Sequence, residues 1–136
     1  MKTEKPTTKI IAGKYKGKIL ELPSLDVTRS SKARLKESLF NVLQFDIIDK
    51  IFIESFAGSG SIGLESISRG AIRAYFVELD RNSYQILLKN CKAVDMEKCQ
   101  TVQGNTFVQT PLFIDFLKNS QDEIVLYIDP PFDYRD

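Results

Sequence analysis

The sequence predicts an α/β fold: a doubly wound, mostly parallel sheet preceded by a β-hairpin and a helix. Three observations carry this. From residue 51 onward, short apolar runs alternate with stretches of helical periodicity, the pattern of right-handed βαβ units. A Gly-x-Gly-x-x-Gly sequence, Gly58-Ser59-Gly60-Ser61-Ile62-Gly63, falls between the first apolar run and the first of these helices. An acidic residue, Glu78, then stands near the end of the second run, twenty positions after Gly58.

Each element has its own reason. Residues 9–12 and 18–22 are strand-like and flank Gly13-Lys14-Tyr15-Lys16-Gly17, a five-residue loop with glycine at both ends, which suits a hairpin. Residues 25–30 read as a connector. A helix is expected from about residue 31, with Leu35, Leu39, Val42 and Leu43 on its buried face and Lys32 and Lys36 away from it. Residues 51–56 read as a strand, 61–69 as a helix, 73–79 as a strand, 82–93 as a helix and 99–103 as a third strand. Helical spacing holds over 106–117, with Pro111 marking a start or a break. Residues 124–128 form the last apolar run. The chain stops four residues after Phe132, so the reading expects C-terminal strands of the sheet to be missing and its edge to be open or otherwise covered.

The 136 residues suit one domain, read as a basic hairpin-helix extension over 1–45 and a ligand-binding core over 46–136. Apolar residues make up 43% and charged residues 27%, as in ordinary soluble domains. No membrane-length apolar run and no secretory h-region follow the N-terminus, so the expected location is cytoplasmic. The chain has no histidine, which excludes Ser-His-Asp and Cys-His catalysis within it and leaves no expectation of a metal. Cys91 and Cys99 stand eight positions apart, at no common redox or metal spacing, and are expected to be reduced and structural. The net charge of +1 hides an asymmetry: residues 1–36 hold ten Lys/Arg against three Asp/Glu, and residues 37–136 hold nine against fifteen. A basic start on a mildly acidic domain suggests an arm that docks on a polyanion.

The glycine loop lets the backbone turn sharply and approach a ligand, and Glu78 lies where an acidic group can grip ribose hydroxyls. An adenosine-bearing cofactor follows, either a dinucleotide or S-adenosylmethionine. Glu54 beside the loop would repel a pyrophosphate and suits a cationic ligand. Asn105 can hydrogen-bond an adenine edge. Asp129-Pro130-Pro131-Phe132, after the last strand, forms a rigid corner rich in acceptors and poor in donors, followed by an aromatic ring. Such a corner can hold an exocyclic amino group and stack on the ring that bears it. These details favour S-adenosylmethionine and amino-group methylation over hydride transfer.

With those residues in view, the sequence resembles the class I S-adenosylmethionine-dependent methyltransferases, with their Rossmann-like sheet. More narrowly it is similar to the 16S ribosomal RNA guanine-N2 methyltransferase D family. The likeness runs from Ile10-Ile11-Ala12-Gly13 through Leu39-Phe40-Asn41, Phe56-Ala57-Gly58-Ser59-Gly60, Gly63-Leu64-Glu65 and Val77-Glu78-Leu79-Asp80 to the Asp129 corner. The resemblance implies that Glu54 and the loop Phe56, Ala57, Gly58, Ser59 and Gly60 hold the cofactor's methionine end. It places Glu78 at the ribose hydroxyls and Asn105 at the adenine, with Leu79 and Thr106 expected to bind the cofactor beside them. Asp129, Pro130, Pro131 and Phe132 would fix and stack the target guanine, and Arg29 and Arg34 would lie near the site and the RNA; Lys14, Lys16 and Lys18 are expected to contact RNA from the basic start of the chain alone. It also implies a monomer acting on ribosomal RNA or on a small-subunit assembly particle. Arg29-Ser30-Ser31 stands where the family usually reads Arg-Pro-Thr, Lys36 where an arginine is common, and Glu54 where an aspartate is usual. An N6-adenine methyltransferase and a non-catalytic RNA- or cofactor-binding remnant are the competing readings.

Overall fold

A computed structural model describes residues 6–23 and 29–130, without the side chains of 29–32. Strand β1 (Thr7–Lys9) pairs antiparallel with β2 (Ile19–Glu21), Thr8 opposite Leu20. Helix α1 (Arg29–Leu43) runs into a 3-10 turn (Gln44–Ile47). Then follow β3 (Ile51–Ser55), α2 (Ser61–Ser68), β4 (Arg73–Glu78), α3 (Arg81–Val94), β5 (Cys99–Gln103), α4 (Thr106–Leu117) and β6 (Ile124–Ile128). From residue 51 on, each element ends within one residue of expectation.

The main sheet has the order β5-β4-β3-β6, and all three pairings are parallel. The chain steps outward from β3 to β5, then returns to lay β6 on the other side of β3. The order therefore reverses between β3 and β6, the point at which open α/β sheets bind ligands beyond the strands' carboxyl ends. Both sheet faces are covered at β3, so all five of its residues are buried and it reads as a continuous run rather than an alternation. On one face Phe52, Ala74 and Phe76 pack with Ile10 and Leu20 of the hairpin, Phe40 of α1, Leu64 of α2 and Leu87 of α3. On the other, Ile51, Ile53 and Tyr75 pack against Phe113 and Leu117 of α4. Among the described residues β6 is an outer strand, with Leu126 and Ile128 exposed. No helix of the described residues is long and apolar enough to cross a membrane.

Two expectations need correction. Leu35 and Val42 of α1 point to solvent, and the buried positions are Lys36 and Phe40, with Leu39 and Leu43 packed beside them. Lys36 is inside because its charge is met there. Its Nζ donates to the Lys9 carbonyl (3.0 Å) and lies 3.5 Å from Glu65 Oε1. The fully buried Glu65 carboxylate also accepts from the Ile11 N–H (2.9 Å), the Ala12 N–H (3.1 Å) and Arg69 Nε (2.8 Å). One carboxylate thus fastens the hairpin to α2. Burial holds the Lys36 amine below the ordinary lysine range, with Glu65 pulling the other way.

Pro111 neither starts nor breaks α4, which passes through it. The turn before it is pinned to β3, since the Thr110 hydroxyl bonds Ser55 (2.7 Å) and Thr106 (2.8 Å). Cys91 and Cys99 are buried free thiols. The hydrogen bond to Cys99 and desolvation push the Cys91 thiol up, which keeps it protonated and unreactive.

Candidate active site

The strands of the main sheet end together on one side, and the loops that follow them enclose a cavity of about 660 Å³. Phe56 and Gly58 follow β3, Val77 and Glu78 end β4, Leu79 and Asp80 follow it, and Arg81 and Ser83 belong to the first turn of α3. Gln103 ends β5 and Gly104, Asn105, Thr106 and Phe107 follow it, Asp129 follows β6, and Pro23 enters from the hairpin side. The size lies within the usual range of small-molecule and cofactor sites.

Local chemistry explains the loop. Phe56, Gly58 and Gly60 take φ of 54°, 58° and 82°, so the chain leaves β3 through left-handed backbone. A methyl group at Gly60 would meet Leu87 Cδ1 at 2.4 Å, and one at Gly63 would meet Phe76 Cε1 at 2.3 Å. These two glycines serve close packing of the loop and α2 on the core. Gly58 has nothing within 4 Å of its would-be Cβ, because it faces the cavity.

The loop's N–H groups are turned onto acceptors. Gly58 donates to Glu78 Oε1 (2.7 Å) and Gly63 to Glu54 Oε1 (2.8 Å). Gly60 donates to the Ala57 carbonyl and Ala57 to that of Val77, both at 2.9 Å. Glu78 Oε2 takes the Asp80 N–H as well (2.9 Å), so this carboxylate ties the glycine loop to the end of β4. Asp80 caps α3 by accepting from the Ser83 N–H, and Asn105 Oδ1 caps α4 by accepting from the Phe107 N–H (2.8 Å). With its oxygen used as a cap, Asn105, which lines the cavity, keeps its side-chain amide N–H as a donor.

Of the residues expected at the cofactor, Phe56, Gly58, Glu78, Leu79, Asn105 and Thr106 line the cavity. Ala57, Ser59 and Gly60 are buried behind that wall. Glu54 is not on the wall either: it lies under the loop, 3% exposed, as the acceptor of Gly63. Asp129 lines the cavity and accepts a long 3.5 Å contact from the Tyr127 hydroxyl. Desolvation, then the Asp129 charge, pushes the Tyr127 phenol up, so it stays a donor. Pro130 is exposed beside Asp129. Pro131, Phe132 and the Arg29 side chain lie outside what the structure describes. Arg34 is exposed on α1.

The hairpin lysines are apart from the cavity. The loop of residues 13–17 docks on the C-terminal end of α2, where the Lys14 N–H donates to the Ser68 carbonyl (2.8 Å) and the Tyr15 N–H to Ser68 Oγ (2.9 Å). The glycine loop is at the other end of that helix, roughly 12 Å away at about 1.5 Å per residue.

Sequence reasoning gave no site role to Pro23, Val77, Asp80, Arg81, Ser83, Gln103, Gly104 or Phe107, all of which line the cavity. Phe107 carried a usable signal: an aromatic in the first turn of a helix that follows a strand's carboxyl end. Its ring meets Phe56 edge to face at 5.9 Å. Pro23 carried none, since only the docking of the hairpin brings it there.

A parallel α/β sheet of this order, with the glycine loop and an acid-lined cavity at its carboxyl edge, defines the class I methyltransferase fold. The family model described as Conserved hypothetical protein 95 matches residues 8–136, and the chain belongs to that family. Ribosomal RNA small subunit methyltransferase D of Haemophilus influenzae is 37% identical over 134 residues, covering 96% of this chain and 67% of the relative. The protein of that name from Escherichia coli K12 is 34% identical over 125 residues, covering 91% and 60%. A solved structure described as the candidate methyltransferase yhhF of Escherichia coli superposes with a TM-score of 0.73 at 33% identity, covering 94% of this chain and 66% of that one. The chain thus spans about three fifths to two thirds of the length of these relatives.

Proposed function

We propose that this chain binds S-adenosylmethionine in the cavity and methylates the N2 amino group of a guanine in 16S ribosomal RNA. One observation carries the choice of cofactor: the glycine loop's N–H groups at Gly58 and Gly63 are already given to the carboxylates of Glu78 and Glu54. A dinucleotide's pyrophosphate needs such N–H groups free and would meet negative charge instead. A sulfonium and an ammonium suit that charge. The relatives named as ribosomal RNA methyltransferases support the substrate class.

The bound cofactor supplies a methyl group made electrophilic by its sulfonium, and the chain's residues supply position. Glu78, with lone pairs beyond those used by Gly58 and Asp80, receives the ribose hydroxyls. The Asn105 amide donates to the adenine, and Leu79 and Phe107 lie against its ring. Glu54 holds the loop that carries the methionine end. Asp129 and the Pro130 carbonyl accept the N–H bonds of the guanine amino group and turn its lone pair toward the methyl carbon. As the N–C bond would form, the methyl carbon's bond to sulfur would break with its electron pair left on sulfur, S-adenosylhomocysteine would leave, and a proton would pass from the nitrogen to Asp129 or to water. Phe132 stacks on the base once it has left its helix.

Residues 1–45 serve as the RNA-docking extension of the core over 46–136. Lys14, Lys16 and Lys18, with Arg29 and Arg34, neutralise phosphates without reading sequence. Because Lys14 and Lys16 stand at the far end of α2, they engage RNA that flanks the target guanine.

Calorimetry with S-adenosylhomocysteine and with NAD tests the cofactor: binding of the first only is expected, and binding of NAD alone overturns the reading. A nucleoside digest of treated 16S RNA then tests the base. N2-methylguanosine is expected, and its loss by at least a hundredfold in Asp129→Ala; N6-methyladenosine would transfer the site to adenine.

A further inference from the structure

Asn90 lies in the third turn of α3, remote in sequence from the hairpin and the glycine loop, yet it is 3% exposed and bonds both. Its Oδ1 accepts from the Glu21 N–H (3.0 Å), and its Nδ2 donates to the Glu21 carbonyl (2.9 Å). Amide thus pairs with amide, as a neighbouring strand would pair with β2. The same Nδ2 also donates to the carbonyl of Ser59 (2.9 Å), the residue between Gly58 and Gly60. Three bonds fix the plane of one amide, so a shift of the glycine loop reaches β2 through it. On the surface, Lys89 holds the Glu21 carboxylate at 3.0 Å. Two residues beyond Glu21, Pro23 stands in the cavity wall.

We infer that Asn90 is a positioning residue that couples occupancy of the cavity to the N-terminal hairpin, so that filling the cavity orders the arm on which RNA docks. The inference rests on the reading of the cavity as an S-adenosylmethionine site. A ligand against Gly58 and Pro23 braces both ends of the Ser59–Asn90–Glu21 link at once. The hairpin then has less freedom to lose when it meets RNA, and by reciprocity RNA on the hairpin tightens the cofactor. Only an amide fills the role. Aspartate keeps an acceptor for the Glu21 N–H but turns an oxygen onto two carbonyls, and serine is too short to reach both partners.

The test is amide hydrogen exchange on the 136-residue chain with and without saturating S-adenosylhomocysteine. The Ile10 and Leu22 amides, which bond Lys18 and Pro6 across the hairpin, report on the arm. The expected result is exchange at least fivefold slower at both amides when the ligand is bound. In Asn90→Asp and Asn90→Ser, saturated at whatever concentration binding then needs, that ligand-dependent slowing should vanish while the β3 and β4 amides stay protected. Ligand binding that leaves hairpin exchange unchanged in the wild type overturns the inference and leaves the cavity's assignment standing. Variants that keep the slowing overturn it as well. Failure of the wild type to bind the ligand at all removes the cofactor reading and this inference with it. The wild-type comparison stands alone if a variant misfolds.

Discussion

Single residues in the glycine loop divide between packing and ligand. At Gly63 a methyl group would sit 2.3 Å and 2.7 Å from two atoms of the Phe76 ring, which is itself fully buried. Gly63→Ala should therefore lose about 1–3 kcal/mol of stability in a urea titration. Gly58→Ala meets open space and suffers only from its left-handed φ of 58°, a cost of about 1 kcal/mol. Its methyl group enters the cavity, so its main effect should be weaker S-adenosylhomocysteine binding by calorimetry. The loop was legible in the sequence because glycine spacing between a strand and a helix is a local pattern. The division of labour within it was not, because Phe76 and Leu87 reach the loop from later in the chain. Asn90 was equally hidden: a polar residue in a helix reads as surface until its three partners are known.

At the scale of elements, one carboxylate joins the hairpin, α1 and α2. Removing it leaves Lys36 charged, buried and unpaired, so Glu65→Ala should cost about 3–5 kcal/mol. Lys36→Met leaves Glu65 with Arg69 and two N–H groups, and its stability should stay within about 1 kcal/mol of the wild type. The pair also makes a signed prediction with pH. Because burial lowers the Lys36 pKa in the folded chain, the unfolded chain keeps a proton that the folded one has shed. Stability carried by this group therefore rises with pH from its folded pKa to the ordinary lysine value of about 10.5. The difference between wild-type and Lys36→Met urea midpoints should show that rise, with the opposite alkaline contribution of Tyr127 cancelling between them. The α1 face was misread for the same reason. Helical periodicity counts a lysine as outward, and nothing local to Lys36 announces Glu65, 29 residues on. α4 and β6 were read to their ends because apolar stretches bounded by turn residues need no distant partner. The hairpin lysines carry a further expectation: Lys14, Lys16 and Lys18 changed together to Ala should weaken RNA binding and flatten its dependence on log salt by about three contacts' worth of slope.

For the whole molecule, a ligand that bridges β3, β4, β5 and β6 binds only the assembled sheet. S-adenosylhomocysteine at a hundred times its dissociation constant should add about 2.7 kcal/mol of stability, roughly 10 °C in a thermal melt. The sheet's plan followed from strand–helix alternation, and an open edge beside its last strand was among the expectations; which side chains of β6 are exposed, Leu126 and Ile128, was not, since both are apolar. The strand order has a further consequence during synthesis. Ile51 pairs with Arg73 on one side and with Ile124 on the other, so its second partner is made 73 residues after it. At roughly 5–20 residues per second, the ribosome takes about 4–15 s to supply that partner. For that interval one edge of β3, whose five residues are all buried once folded, stands without its partner strand.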